Sequence, residues 1–257
     1  LRLTSGTPMA RHARIVIRKD LGFPERKCLL CDNPACQCGR SRKHSIEELR
    51  KKIYGIIWEE QLQRGVAAEI SQALMEEVYT TPKPGLVDRE DTGAHTDMNC
   101  QTFQKSTEAI AEDLAAMFEA GYSWEADPKT LFPLLRERGK KTEEKMFVAT
   151  GGVNTHKGII FTIGILAAAA GISLRNYGKI ESEDVCRISL EMTKKELEQD
   201  LRKLKQSSGI THGEKIYCHL GEKGVRGLAM SGYPILCERT VPHMKQYIAN
   251  NRDQNQI

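Results

Sequence analysis

Apolar positions along the chain fall into helical rather than alternating patterns. Val66, Ile70, Leu74 and Val78 recur every four residues, and Phe103, Thr107, Ile110, Leu114 and Phe118 form a second stripe. One face of a helix buried against a core produces this spacing. The stretch from Gly158 to Gly171 is apolar on nearly all sides but is broken by Thr162 and Gly164, which predicts a buried helix rather than a membrane span. Ser182 to Lys205 reads as a long charged helix with Val185, Ile188, Met192, Leu197, Leu201 and Leu204 on its apolar side. Ser45, with Glu48 three residues on, has the form of a capping box and predicts a helix start. Gly65 is expected to break that helix, Gly121 to end the helix of the Phe103–Phe118 stripe, and Pro133 to shorten or kink the element that Asp127 and Pro128 open. Asp127-Pro128 reads as an N-cap and first helical position, and Val241-Pro242 as the start of a last amphipathic piece. The only strand expected is a short one at 13–18, where Ile15 and Ile17 share a face. The pattern predicts an all-α, multi-helix domain with long polar loops, preceded by a small irregular basic segment that carries cysteines.

Three polar loops interrupt the apolar pattern. The first runs Pro82-Lys83-Pro84-Gly85-Leu86-Val87-Asp88-Arg89, then Gly93-Ala94-His95-Thr96-Asp97-Met98. Its prolines and glycine forbid a continuous helix, and at about 20 residues it is long for a plain connection. The second, Gly151-Gly152-Val153-Asn154-Thr155-His156-Lys157-Gly158, runs straight into an apolar helix. It sets backbone N–H groups and a lysine at a helix N-terminus, which suits phosphate, although the Walker spacing is absent. The third comprises Thr211-His212-Gly213-Glu214, the glycines around Arg226 and Gly232-Tyr233-Pro234, and its glycine density predicts irregular backbone.

Charge and cysteines divide the chain. Residues 1–53 hold 13 Lys and Arg against 5 Asp and Glu, while the remainder hold 25 against 29. That asymmetry places a boundary near residues 45–55. Within the basic part stand Cys28, Cys31, Cys36, Cys38 and His44. Cys28, Cys31, Cys38 and His44 are the set a tetrahedral zinc clip requires, with Cys36 surplus; the other reading is free thiols on a basic surface. Eight cysteines in a chain that opens without an export signal point to reduced thiols or metal ligands in a cytoplasm. Leu1 in place of a methionine suggests a chain cut from something longer.

Taken together, the motifs of the first two loops resemble the signatures of the triphosphoribosyl-dephospho-CoA synthase family, with the likeness running from about residue 60 onward. The segment from Leu21-Gly22 to Arg40-Ser41-Arg42-Lys43-His44 is similar to the C-terminal end of the phosphoribosyl-dephospho-CoA transferase that attaches the prosthetic group of citrate lyase. The resemblance implies two regions: 1–53, a C-terminal remnant of the transferase, and 54–257, a C-terminally incomplete synthase domain. Leu228 stands where the family has an acidic residue after Arg226-Gly227.

The implied reaction joins ATP to 3′-dephospho-CoA. The 2′-hydroxyl of dephospho-CoA attacks the anomeric carbon of the ATP ribose, adenine leaves, and the product is the precursor of the acyl carrier prosthetic group of citrate lyase or malonate decarboxylase. On this reading Lys83, Arg89, Asn154, Lys157 and Arg226 bind the triphosphate and Asp88 and Asp97 hold Mg²⁺. His95 is the leading general base and His156 the acid for the leaving adenine. All three loops are expected to converge on one cleft. The implied partners are the two substrates and, through the transferase, the citrate lyase acyl carrier protein; neither nucleic acid nor a membrane is expected. A zinc-stabilised nucleic-acid or protein-binding module, or an inactive fragment, is the alternative.

Overall fold

The computed structural model describes residues 18–204 and 212–254. The chain divides into two compact units at Glu60 and Gln61. The expected strand at 13–18 lies outside the described residues except for Arg18, which opens a 3₁₀ turn, Arg18–Leu21. Among the described residues there is no strand, only an isolated antiparallel bridge between Lys27 and Pro34.

The first unit holds that bridge, helix α1 (Ala35–Ser41) and the start of α2 (Ile46–Tyr79). The capping box is formed: Glu48 N–H donates to Ser45 Oγ at 3.1 Å and Ser45 N–H to Glu48 Oε2 at 2.8 Å. Helix α2 runs through Gly65 without a break, contrary to expectation. A lone glycine costs a helix only about 1 kcal/mol relative to alanine, and good helix formers flank this one.

The second unit is a helical bundle. It contains α3 (Cys100–Tyr122), α4 (Phe132–Thr150), α5 (Lys157–Tyr177), α6 (Ser182–Leu204), α7 (His212–Leu220), α8 (Gly224–Met230) and α9 (Val241–Gln254). Asn99 starts α3 with a capping box shared with Thr102. Asp127 caps a 3₁₀ turn, Pro128–Thr130, as expected. That element is short, as Pro133 led one to expect: it ends at Thr130, and Pro133 stands in the first turn of α4, where its missing N–H has no partner to lose.

Helix α5 is the centre of the bundle, packing on α3, α4, α6 and α8. It is the one helix among the described residues long and apolar enough to cross a membrane, and here its Ile160, Ile165, Ala168 and Ile172 are buried. Gly121 does not end α3 but lets it approach α5. A Cβ on Gly121 would strike the Ala168 carbonyl, and one on Gly171 would lie 2.6 Å from Tyr122 N. Around this contact Ile110, Leu114, Met117, Phe132, Met146, Ile160, Met192 and Leu197 form the core, none more than 2% exposed.

A further expectation is corrected. The third polar loop is not irregular throughout: α7 and α8 occupy most of it, with Gly221 and Gly224 in left-handed conformation at the turn between them. Thr211 lies outside the described residues. Beside the expectation of reduced thiols or metal ligands, Cys186 on α6 and Cys237 on a π-helical turn (Leu236–Thr240) are brought together as a pair. Packing of that turn on α6 brings together residues 51 apart in sequence.

Candidate active site

The loop after α2 is closed on itself by backbone and carboxylate. Gly85 and Gly93 take positive φ and meet so closely that a Cβ on Gly93 would fall 2.5 Å from Gly85 C and Leu86 N. Buried Asp88 is the hub. Its Oδ1 accepts from the N–H groups of Glu90 (2.8 Å) and Asp91 (3.0 Å), and its Oδ2 from Lys83 N–H (3.0 Å). Those bonds, Asp91's foremost, hold the carboxyl below the usual carboxylate range. The residue read as a Mg²⁺ ligand is therefore occupied in shaping its own loop.

The loop's cations are engaged as well. Lys83 Nζ donates to Glu77 O (2.7 Å) and Oε1 (3.1 Å), and the Arg89 guanidinium lies 4.8 Å from the centre of the Tyr79 ring. His95 and Asp97 remain accessible, with His95 Nδ1 3.9 Å from Asp97 Oδ1 and their side chains 40% and 60% exposed.

The second loop begins where α4 ends on left-handed Gly151. Asn154 Oδ1 accepts from Lys157 N–H at 3.3 Å, fixing the entry to α5. The neighbouring pair turns inward. His156 is 1% exposed, its Nδ1 2.6 Å from Ser106 Oγ, which also accepts from Thr155 Oγ1 at 2.7 Å. The Phe103 ring meets the imidazole edge to face at 5.0 Å. Burial pushes the His156 pKa down to about 4, with the Glu77 charge acting weakly the other way. The imidazole read as the acid for the leaving adenine is thus enclosed by protein rather than open to a ligand. It ties the second loop to α3 instead.

A cavity of about 990 Å³ is lined in part by the end of the second loop. Asn154 and Lys157 line it, together with Arg226 of α8 and Arg136 and Glu143 of α4. The structure thus brings three of the expected binding residues to one place. Lys83, Asp88, Arg89, His95 and Asp97 are not among its lining residues, so this cavity is not the cleft lined by all three loops that was expected. Three of the cavity's cations are paired with carboxylates: Lys157 with Glu143 (3.0 Å), Arg226 with Glu214 (3.1 Å) and Arg136 with Asp200 (2.7 Å). Arg136, Glu143 and Asp200 are additions that the loops did not suggest, and Glu214 stands in the third loop but was not read as a site residue. The signal for the first two was the polar spacing Arg136, Gly139, Lys140, Glu143 along one face of α4.

Fold and site together describe an all-α protein with a cavity at the start of its central helix, lined by paired cations and carboxylates. Residues 63–257 match the family described as ATP:dephospho-CoA triphosphoribosyl transferase, and residues 9–60 match that of apo-citrate lyase phosphoribosyl-dephospho-CoA transferase. Curated relatives from Streptococcus pyogenes serotypes M3 and M1, each named "Probable 2-(5''-triphosphoribosyl)-3'-dephosphocoenzyme-A synthase", are 38% identical over 203 residues, covering 73% of this chain and 69% of theirs. No solved structure matches. The chain belongs to the ATP:dephospho-CoA triphosphoribosyl transferase family. Its reaction is the transfer of the triphosphoribosyl group of ATP to dephospho-CoA, in the biosynthesis of the citrate lyase prosthetic group.

Proposed function

We propose that the cavity takes the triphosphate of ATP and that the exposed end of the first loop handles the acceptor hydroxyl. The observation that carries this is the meeting of Asn154, Lys157 and Arg226 in one cavity at the N-terminus of α5. Lys157 and Arg226 supply charge, and the first turn of α5 supplies free N–H groups. Mg²⁺ takes oxygen ligands from one or two carboxylates plus phosphate, a donor set that fits Glu143 and Glu214 beside those cations better than Asp88, whose oxygens are in use. Bound there, the ion supplies charge neutralisation for the triphosphate.

Transfer breaks the bond between adenine and the anomeric carbon and forms one to the 2′-oxygen of dephospho-CoA; the hydroxyl proton passes to a base, and the departing adenine nitrogen takes up a proton from water. His95 is that base in this reading. Its accessibility admits an acceptor, and Asp97 is placed to stabilise the imidazolium it becomes. Lys83 and Arg89 act through the loop, anchoring it to Glu77 and Tyr79. The product then goes to a transferase of the kind matched by residues 9–60, on the way to the acyl carrier protein.

The test is adenine release from ATP in the presence of Mg²⁺ and dephospho-CoA. Lys157→Ala should raise KM for ATP far more than it lowers kcat. His95→Gln should lower kcat by about 10²- to 10⁴-fold with KM for ATP nearly unchanged. A His95→Gln protein with undiminished turnover removes that residue from the mechanism. An unchanged KM in Lys157→Ala removes the cavity from ATP binding.

A further inference from the structure

The first unit carries a second constellation, unrelated to ATP. Cys28, Cys31, Cys38 and His44 present their ligand atoms within 4.8 Å of one another. Cys31 Sγ lies 3.5 Å from Cys38 Sγ and 3.3 Å from His44 Nε2. Zinc bound at about 2.3 Å to sulfur and about 2.0 Å to nitrogen requires neighbouring ligand atoms about 3.5–3.8 Å apart around a tetrahedron. The side chains therefore already stand near the spacing of a filled site. Three thiols converging around a part-buried histidine have no comparable use in packing.

The backbone supplies an independent observation. Cys28 N–H donates to Asn33 O and Ala35 N–H to Arg26 O, both at 2.8 Å, closing a tight hairpin around the Cys28-x2-Cys31 turn. Inside it Leu30 N–H points at Cys28 Sγ at 3.5 Å. An N–H directed at a thiolate is the kind of outer contact that fixes a metal-bound sulfur. The other two ligands come from α1 and its exit. Cys38 is the one buried residue of α1, and left-handed Arg42 turns the chain back so that His44 reaches Cys31. Three thiolates and a neutral imidazole around Zn²⁺ leave one negative charge, and Lys43 Nζ lies 3.9 Å from Cys31 Sγ to offset it. Cys36 points away, its thiol on Glu25 Oε1 at 3.0 Å.

We propose that Cys28, Cys31, Cys38 and His44 bind one Zn²⁺ as a closed structural site that fastens the hairpin and α1 to the first turn of α2. Four protein ligands leave no position for substrate, which makes the site structural rather than catalytic. His44 directly precedes the Ser45 cap, so the metal fixes where α2 begins.

The experiment is elemental analysis of the full chain purified under reducing conditions, followed by exchange into Co²⁺. About one zinc per chain is expected. The cobalt form should show the intense visible bands of tetrahedral thiolate coordination. Cys36→Ser should keep the metal and the spectrum, whereas Cys31→Ser should lose both. If Cys31→Ser is insoluble, thiol titration of the wild type with a mercurial should release zinc in proportion to the thiols consumed. Zinc-free protein that gives no tetrahedral cobalt spectrum on reconstitution would overturn the proposal. So would iron with a sulfide chromophore, or metal loss in Cys36→Ser with retention in Cys31→Ser.

Discussion

His156 makes the stability of the second unit depend on pH in a calculable way. Its ordinary pKa of 6.5 applies in the unfolded chain, while burial holds it at about 4 in the native one. Between these values the unfolded state binds a proton that the native state refuses, so stability rises with pH and is fully present above 6.5. As pH falls the contribution is lost, completely so below about 4. From about pH 7.5 to about pH 4.5 the two pKa values give a loss of about 2.5 kcal/mol. Carboxylates held below their usual range, Asp88 among them, lose stability in the same direction, so the wild-type curve alone cannot isolate the histidine. His156→Asn can. An amide oxygen replaces Nδ1 opposite Ser106 Oγ and does not titrate. The variant should be less stable than wild type at neutral pH, because a ring packed on Phe103 is gone. Its deficit should shrink by about 2.5 kcal/mol on going to the lower pH. Urea unfolding of the full chain, followed by helical circular dichroism at both pH values, measures the difference. Parallel curves for the two proteins would refute the assignment of His156 as a buried neutral group.

Two further outcomes are expected. Asp88→Asn turns an NH₂ group toward Lys83 N–H, where Oδ2 now accepts, so the loop should open and trypsin should cut after Arg89 faster than in wild type; equal cleavage rates would show that the carboxylate does not hold the loop. Gly121→Ala forces α3 away from the Ala168 carbonyl and should cost about 1–3 kcal/mol or more, whereas Gly65→Ala, with open space around its Cβ, should stabilise by up to about 1 kcal/mol; equal thermal midpoints for the two variants would contradict the close approach.

What could be read before the structure follows a physical division. Helices α3, α5 and α6 were legible because each buries a stripe whose period survives in the sequence. Features that depend on what lies opposite a residue were not. Gly121 looked like a terminator because a glycine marks a helix end as well as a close contact, and only the position of α5 distinguishes them. His95 and His156 have similar polar neighbours in sequence, yet one is exposed and the other sits under Phe103. Asn154, Lys157 and Arg226 were conspicuous among glycines. Arg136 and Glu143 were hidden in a helix whose charged residues read equally well as a solvated face. The Cys186–Cys237 pair had no local pattern at all.

The pairing of charges in the cavity bears on how a triphosphate enters it. Lys157, Arg226 and Arg136 are 43%, 32% and 32% exposed, and each faces a carboxylate at 3.1 Å or less. Cations lodged so close together, without those partners, would repel one another and raise the energy of the empty site. The carboxylates remove that cost but would oppose an incoming polyanion. Two resolutions exist: the carboxylates swing aside into solvent, or a divalent cation converts them from repelling groups into ligands shared with phosphate. Glu143 and Glu214 are the more enclosed acids, with side chains 24% and 15% exposed, and have the least room to swing away. For them the shared cation is the favourable route. On the proposal that the cavity takes the triphosphate of ATP, Glu143 and Glu214 belong to the binding apparatus, and the nucleotide that suits the cavity arrives with its metal rather than as a bare anion.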